Sequence, residues 1–135
     1  MDIVNSKMIY TGLFFLFIFI SGFWLSRSGK PYSSLIFNIH KLIGLGAGIF
    51  LIRTVYLTHQ AAPLNPAQWT AISVTVLLFA FTVAAGGLLG VLAEGGFKSL
   101  GQGMQNAISL VHKFSPYLIA LSTAMTLYLL LFRTS

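Results

Sequence analysis

"WTAISVTVLLFAFTVAAGGLLGVLA" runs from Trp69 to Ala93 without one charged side chain. A helix needs about 20 apolar residues to cross the hydrocarbon layer of a bilayer, and this stretch supplies them. Its Trp69 stands at one end, where an indole ring favours the boundary between lipid and water. Three neighbours repeat the pattern, at about residues 8–26, 36–58 and 108–132. The segments between them hold "RSGKPYSS", "APLNP" and "EGGFKSLGQG". Gly, Pro, Asn and Ser interrupt helices, so these segments read as connections.

The whole chain agrees with the part. Of its 135 residues 56% are hydrophobic and 7% charged, against roughly 25% charged in a soluble domain. Too few charges remain to cover a water-facing surface, so the expectation is an all-α, integral membrane, up-down four-helix bundle forming one domain over residues 1–135. The first span is longer than the apolar core of a secretion signal, and Ser26-Arg27-Ser28 is a poor cleavage site, so it reads as a retained helix. There is no cysteine, which excludes disulfides, thiolate metal sites and iron–sulfur clusters. The net charge of +6 is spread thinly and makes no nucleic-acid surface. Basic residues at helix ends contact anionic lipid and set orientation.

With an even number of spans both termini share one side. That side carries Lys7, Arg133 and Arg53, offset by Asp2. The other carries Arg27, Lys30, Lys41, Lys98 and Lys113, offset by Glu94. The positive-inside rule places the second group in the cytoplasm. The expected location is the cytoplasmic (inner) membrane, with both termini outside.

Two of the three histidines occupy matching places. "FNIHKLIGLGAG" begins at Phe37 and "SLVHKFSPYLIA" at Ser109. At an offset of 72 (40 to 112), His40 meets His112, Lys41 meets Lys113, Thr54 meets Thr126, and Tyr56-Leu57 meets Tyr128-Leu129. The first and third spans align poorly at that offset. A parallel two-helix repeat would put equivalent residues at equal depth. Both histidines lie four residues inside their apolar spans, about 6 Å at the helical rise. In an up-down bundle helices two and four are diagonal neighbours, so the two rings are expected to face each other across the centre. Pro116 either begins helix four, with Ser115 as its cap, or kinks it by removing the donor to the His112 carbonyl.

Two imidazoles make a poor zinc site, which wants four ligands. A haem needs only two axial ligands beside its own four nitrogens. Gly44 and Gly48, on one face with His40, leave space where a flat macrocycle would lie, and "AAGGLLG" (84–90) offers a second low surface. Lys41 and Lys113 stand where they could pair with propionates or reach lipid phosphate. The competing reading of the small residues is close helix packing without any cofactor. Arg53 reads as a snorkelling residue, His59 as a solvated loop residue, and Tyr56 and Tyr128 as interface-belt residues. No nucleophile–base pair, phosphate loop or paired carboxylate is visible.

With four spans, "NIHKLIG" and "LVHKFSP", the chain resembles the small membrane b-type cytochromes, broadly the b561-like group. The resemblance implies single-electron transfer, often to or from quinone, or within a larger membrane redox complex. It implies an electron carrier or oxidoreductase subunit with His40 and His112 on haem iron. Many such proteins hold two haems. Here only His59 stands near the outer face, so one haem b is expected. Two other readings stay open: a cofactor-free accessory subunit of a larger complex, and a pigment-binding subunit in which histidine ligates chlorophyll magnesium.

Overall fold

The structure, a computed structural model, describes residues 3–29, 33–96 and 100–131. Asp2, Lys30, Lys98 and Arg133, which enter the orientation argument, lie outside the described residues, as does the side chain of Lys7. The chain is all-α, as expected. The described residues form four helices: α1 (Ile3–Arg27), α2 (Ser34–Ala61), α3 (Pro66–Ala93) and α4 (Gln102–Leu131). Among the described residues α1, α2 and α3 are each long and apolar enough to cross a membrane. The apolar run of α4 continues to Phe132, beyond those residues.

The helices end where the sequence offers a left-handed residue or a proline. Gly29 follows α1 with φ 74° and Gly95 follows α3 with φ 84°. After α3 the Gly96 N–H donates to Val91 O at 2.9 Å and the Gly95 N–H to Leu92 O at 3.2 Å. These crossed bonds form a Schellman motif that satisfies two carbonyls left over by the helix end, with Glu94 as the capping residue. Pro66 opens α3, where its missing N–H is one of the donors that a helix start leaves without an intrahelical acceptor.

One boundary differs from expectation. The connection was expected to run through Ala107, with α4 beginning near Ile108 or at Pro116. Instead α4 begins at Gln102, where the Met104 and Gln105 N–H groups donate to Gly101 O. "QGMQNA" is too polar to count as membrane span, but Gln, Met and Ala are good helix formers. Pro116 therefore lies inside the helix, and Ser115 is a buried interior residue rather than a cap.

The chain divides into two compact units, one ending at Pro66 and one beginning at Ala67. Each is an antiparallel helical hairpin. In the first, Phe14 of α1 meets Phe50 of α2 with ring centroids 5.4 Å apart. Thr11, Phe15, Ser21 and Leu25 are buried on α1, and Ala47, Leu51 and Thr54 on α2. In the second, Gln68, Ile72, Thr75 and Thr82 are buried on α3, and Ser115, Ile119, Thr123, Thr126 and Leu130 on α4. The three-and-four spacing of these positions is a helix face turned to a partner.

What lies on those faces is inverted relative to a soluble protein. Buried positions are rich in hydroxyls, while Leu42, Leu77 and Leu121 are exposed at 68%, 69% and 71%. Water would disfavour that arrangement strongly. Lipid does not, because hydrocarbon is as apolar as leucine and helices associate there through small and polar residues. Four of the threonines pair along their own helix: Thr54, Thr58, Thr75 and Thr82 each donate to the carbonyl four residues earlier. Thr75 also bonds across to Ser122 and Thr126 on α4. Gln68 Nε2 reaches across to Leu129 O on α4 at 2.9 Å. The bilayer is the environment these faces fit.

The burial pattern carries the internal repeat further than the alignment did. At an offset of 64 (11 to 75), α1 and α3 pair Thr11 with Thr75, each 1% exposed. The same offset pairs Leu13 with Leu77, Phe15 with Phe79, Phe17 with Phe81, Gly22 with Gly86 and Leu25 with Leu89. At 72, the buried Ala47, Leu51 and Thr54 of α2 meet the buried Ile119, Thr123 and Thr126 of α4. The two offsets differ because the second hairpin is longer around its turn. α4 begins ten residues before His112 (102 to 112), whereas α2 begins six before His40 (34 to 40).

Candidate functional site: two histidines, each set by the helix before it

His40 and His112 are both half-buried, and each ring rests against the preceding helix of its own hairpin. In the second hairpin His112 Nδ1 lies 3.2 Å from Thr82 O. A carbonyl can only accept, so the ring must donate, and the proton sits on Nδ1. The lone pair is thereby assigned to Nε2. In the first hairpin His40 Nδ1 lies 2.9 Å from Ser21 Oγ. The Ser21 hydroxyl itself donates to Ile18 O at 3.1 Å. A hydroxyl has one proton, and with that proton given to the carbonyl its oxygen accepts from the ring. His40 takes the same tautomer as His112 by a longer route.

A glycine lies under each ring. A Cβ built on Gly22 would stand 3.1 Å from His40 Cε1, and one on Gly86 would stand 2.6 Å from His112 Cε1. At Gly86 no side chain fits without moving the imidazole. At Gly22 the ring would have to give by a few tenths of an ångström. The pair Gly22/Gly86 and the pair His40/His112 are both repeat-related, so the ring-on-glycine contact occurs once per hairpin.

The other expected site residues divide. A methyl on Gly44 would meet nothing within 4 Å, so close packing does not require glycine there, and the flat face beyond His40 stays open. Gly46 is different, because its methyl would touch the Phe14 ring at 3.7 Å. Gly48 is half-buried. Lys41 is exposed, with Nζ 3.9 Å above the ring of Phe37 one turn earlier. That bends its cation towards the start of α2, as a snorkelling lysine does. Lys113 is exposed beside His112. Arg53, His59, Tyr56 and Tyr128 are exposed as well.

On the His112 face of α4, Ser115 Oγ and Thr123 Oγ1 are buried without a hydrogen-bond partner. Their counterparts in the first repeat are Ile43 and Leu51, so this polarity belongs to the second hairpin alone. Among the described residues no three His, Cys, Asp or Glu side chains gather into a metal-binding group. Two imidazoles do not make a self-sufficient metal cage, which wants four ligands.

Sequence reading identified both histidines but missed Ser21 and Gly22, and it saw Gly86 only as one of several small residues. The signal was present in the 64-residue offset, which pairs Gly22 with Gly86 and Ile18 with Thr82. Comparison with protein-family models, with curated proteins and with solved structures finds no match to this chain.

Proposed function

We propose that this chain is a membrane electron-transfer protein holding one b-type haem, with Nε2 of His40 and of His112 as the axial ligands. The observation that carries the reading is that Nδ1 of each ring stands within hydrogen-bond distance of an oxygen of its own hairpin. Each imidazole donates its Nδ1 proton into its own hairpin, to Ser21 Oγ in one and to Thr82 O in the other. Ligating histidines do this almost always, because the second nitrogen's bond fixes the ring and raises the basicity of the first. Two further features fit the group. Gly44 leaves room beside His40 that packing does not claim. The glycine beneath each ring holds the imidazole in one orientation.

The haem would supply a one-electron couple. The chain's own residues would set ligand orientation, exclude water and tune the potential through burial and hydrogen bonds. Lys41 and Lys113 would meet the propionates or lipid phosphate. The membrane would be the inner membrane with the His-Lys pairs on the cytoplasmic side, and the electron partner a quinone or a larger redox complex.

The test is the absorption spectrum of the purified protein and of its histidine variants. The wild type should give a low-spin haem b spectrum that sharpens on reduction with dithionite. His40→Ala and His112→Ala should each abolish the bis-histidine bands. If both single variants keep them, the assignment fails. A colourless wild type from haem-replete cells leaves the accessory-subunit reading in its place.

A further inference from the structure

We infer that Ser21 is the positioning residue for His40, and that its hydroxyl makes the two imidazoles unequal ligands. The inference deepens the proposed haem reading and rests on it for its consequence at the iron. Its geometric part stands on the apoprotein alone.

The two hairpins differ in how each ring reaches its acceptor. Ile18 and Thr82 are equivalent at the 64-residue offset, so both histidine protons point towards the same repeat-related carbonyl. In the second hairpin the ring bonds to that carbonyl directly, at 3.2 Å. In the first a hydroxyl is interposed: His40 Nδ1 to Ser21 Oγ at 2.9 Å, then Ser21 Oγ to Ile18 O at 3.1 Å. The position equivalent to Ser21 is Ala85, which has no hydroxyl. The extra atom also accounts for the looser ring. His40 Cε1 stands 3.1 Å from the would-be Cβ of Gly22, against 2.6 Å for His112 over Gly86.

Two consequences follow. The first concerns strength. A hydroxyl that donates onward is polarised and becomes a better acceptor, so the bond it takes from His40 is strengthened. The shorter distance agrees. A stronger bond at Nδ1 makes Nε2 the more basic donor and favours the ferric state. The second concerns origin. The acceptor for His112 is main chain, fixed by the α3 backbone whatever side chain stands at 82. The acceptor for His40 is a side chain, and one substitution removes it. The first hairpin therefore has a tunable ligand and the second an invariant one.

The experiment reads the tautomer first. With 15N-labelled histidine in the haem-free protein at about pH 8, where imidazole is neutral, His40 and His112 should both show the Nδ1–H tautomer. Ser21→Ala should convert His40 to a mixture and leave His112 unchanged. Ser21→Thr keeps the hydroxyl and should restore the wild-type signal. Thr82→Ala keeps the carbonyl and should leave His112 as it was. In the haem-loaded protein Ser21→Ala should retain haem and raise the ratio of reduced to oxidised form about tenfold at a fixed potential, ~59 mV for a one-electron couple. Ser21→Thr should return the ratio to the wild-type value. An Nε2–H tautomer for wild-type His40, or an unchanged His40 signal in Ser21→Ala, overturns the inference. So does an unshifted potential in Ser21→Ala. Absence of haem from the wild type overturns the proposed function, and the tautomer signals report separately on Ser21.

Discussion

Glycine is the residue whose absence would be felt first. Its missing Cβ is what lets each imidazole lie against the helix before it. Gly86→Ala would put a methyl 2.6 Å from His112 Cε1, whereas Gly22→Ala would put one 3.1 Å from His40 Cε1. Alanine is the better helix former by about 1 kcal/mol, so on propensity alone both changes would stabilise. The steric term opposes it, and it is larger at Gly86. Gly86→Ala should cut haem content, read as the ratio of Soret to protein absorbance, by tenfold or more. Gly22→Ala should keep most of it, and Gly44→Ala, whose methyl meets no protein atom within 4 Å, should lower haem content by filling the space proposed for the macrocycle. At this scale the sequence was half legible. Two histidines among three, each followed by lysine, stand out in an apolar chain. Ser21 and Gly22 do not, because which α1 residue meets His40 depends on hairpin register, and one-dimensional spacing across a turn does not specify register.

Hydroxyls join the two helices of the second hairpin. Thr75 is the centre of the second hairpin, 1% exposed and bonded to Ala71 O, Ser122 and Thr126. Thr75→Val keeps the shape and removes the hydroxyl, leaving the buried Thr126 hydroxyl and the half-buried Ser122 hydroxyl short of a partner. Interhelical hydrogen bonds in membrane proteins contribute about 0.6 kcal/mol on average and up to about 1.7. Thr75→Val should therefore cost roughly 1 kcal/mol in reversible unfolding in detergent, while leaving the tautomer of His112 unchanged. Gln68→Ala should cost about the same, since it removes the bond to the Leu129 carbonyl. Helix existence was legible from apolarity alone, and the Gly95 cap from its glycine pair. The start of α4 was not. Apolarity marks what lipid can hold, whereas the helix continues through polar Gln102–Ala107 because propensity permits it and Gly101 receives its first bonds.

At the scale of the molecule, two offsets describe one repeated hairpin. Alignment at 72 alone hid the relation of α1 to α3, because the second hairpin inserts residues around its turn. The inverted burial, with leucine outside and threonine inside, was foreseeable from a chain with 7% charge, and it fixes the solvent as lipid. The orientation proposed from lysine and arginine positions can be tested directly, since the chain has no native cysteine. A single cysteine at Gln60, in the exposed end of α2, should react with a membrane-impermeant maleimide on intact cells. One at Gln102, at the start of α4, should react only after lysis. The reverse pattern would invert the topology and place the His-Lys pairs outside.

The measurement that bears most directly on the central claim combines haem stoichiometry and electron paramagnetic resonance on the purified ferric protein. Extraction as the pyridine complex should give one haem b per chain, and the resonance should be that of a low-spin, six-coordinate iron with two imidazole ligands. A protein that carries no haem, or one whose iron is high-spin with a single histidine bound, would contradict the account.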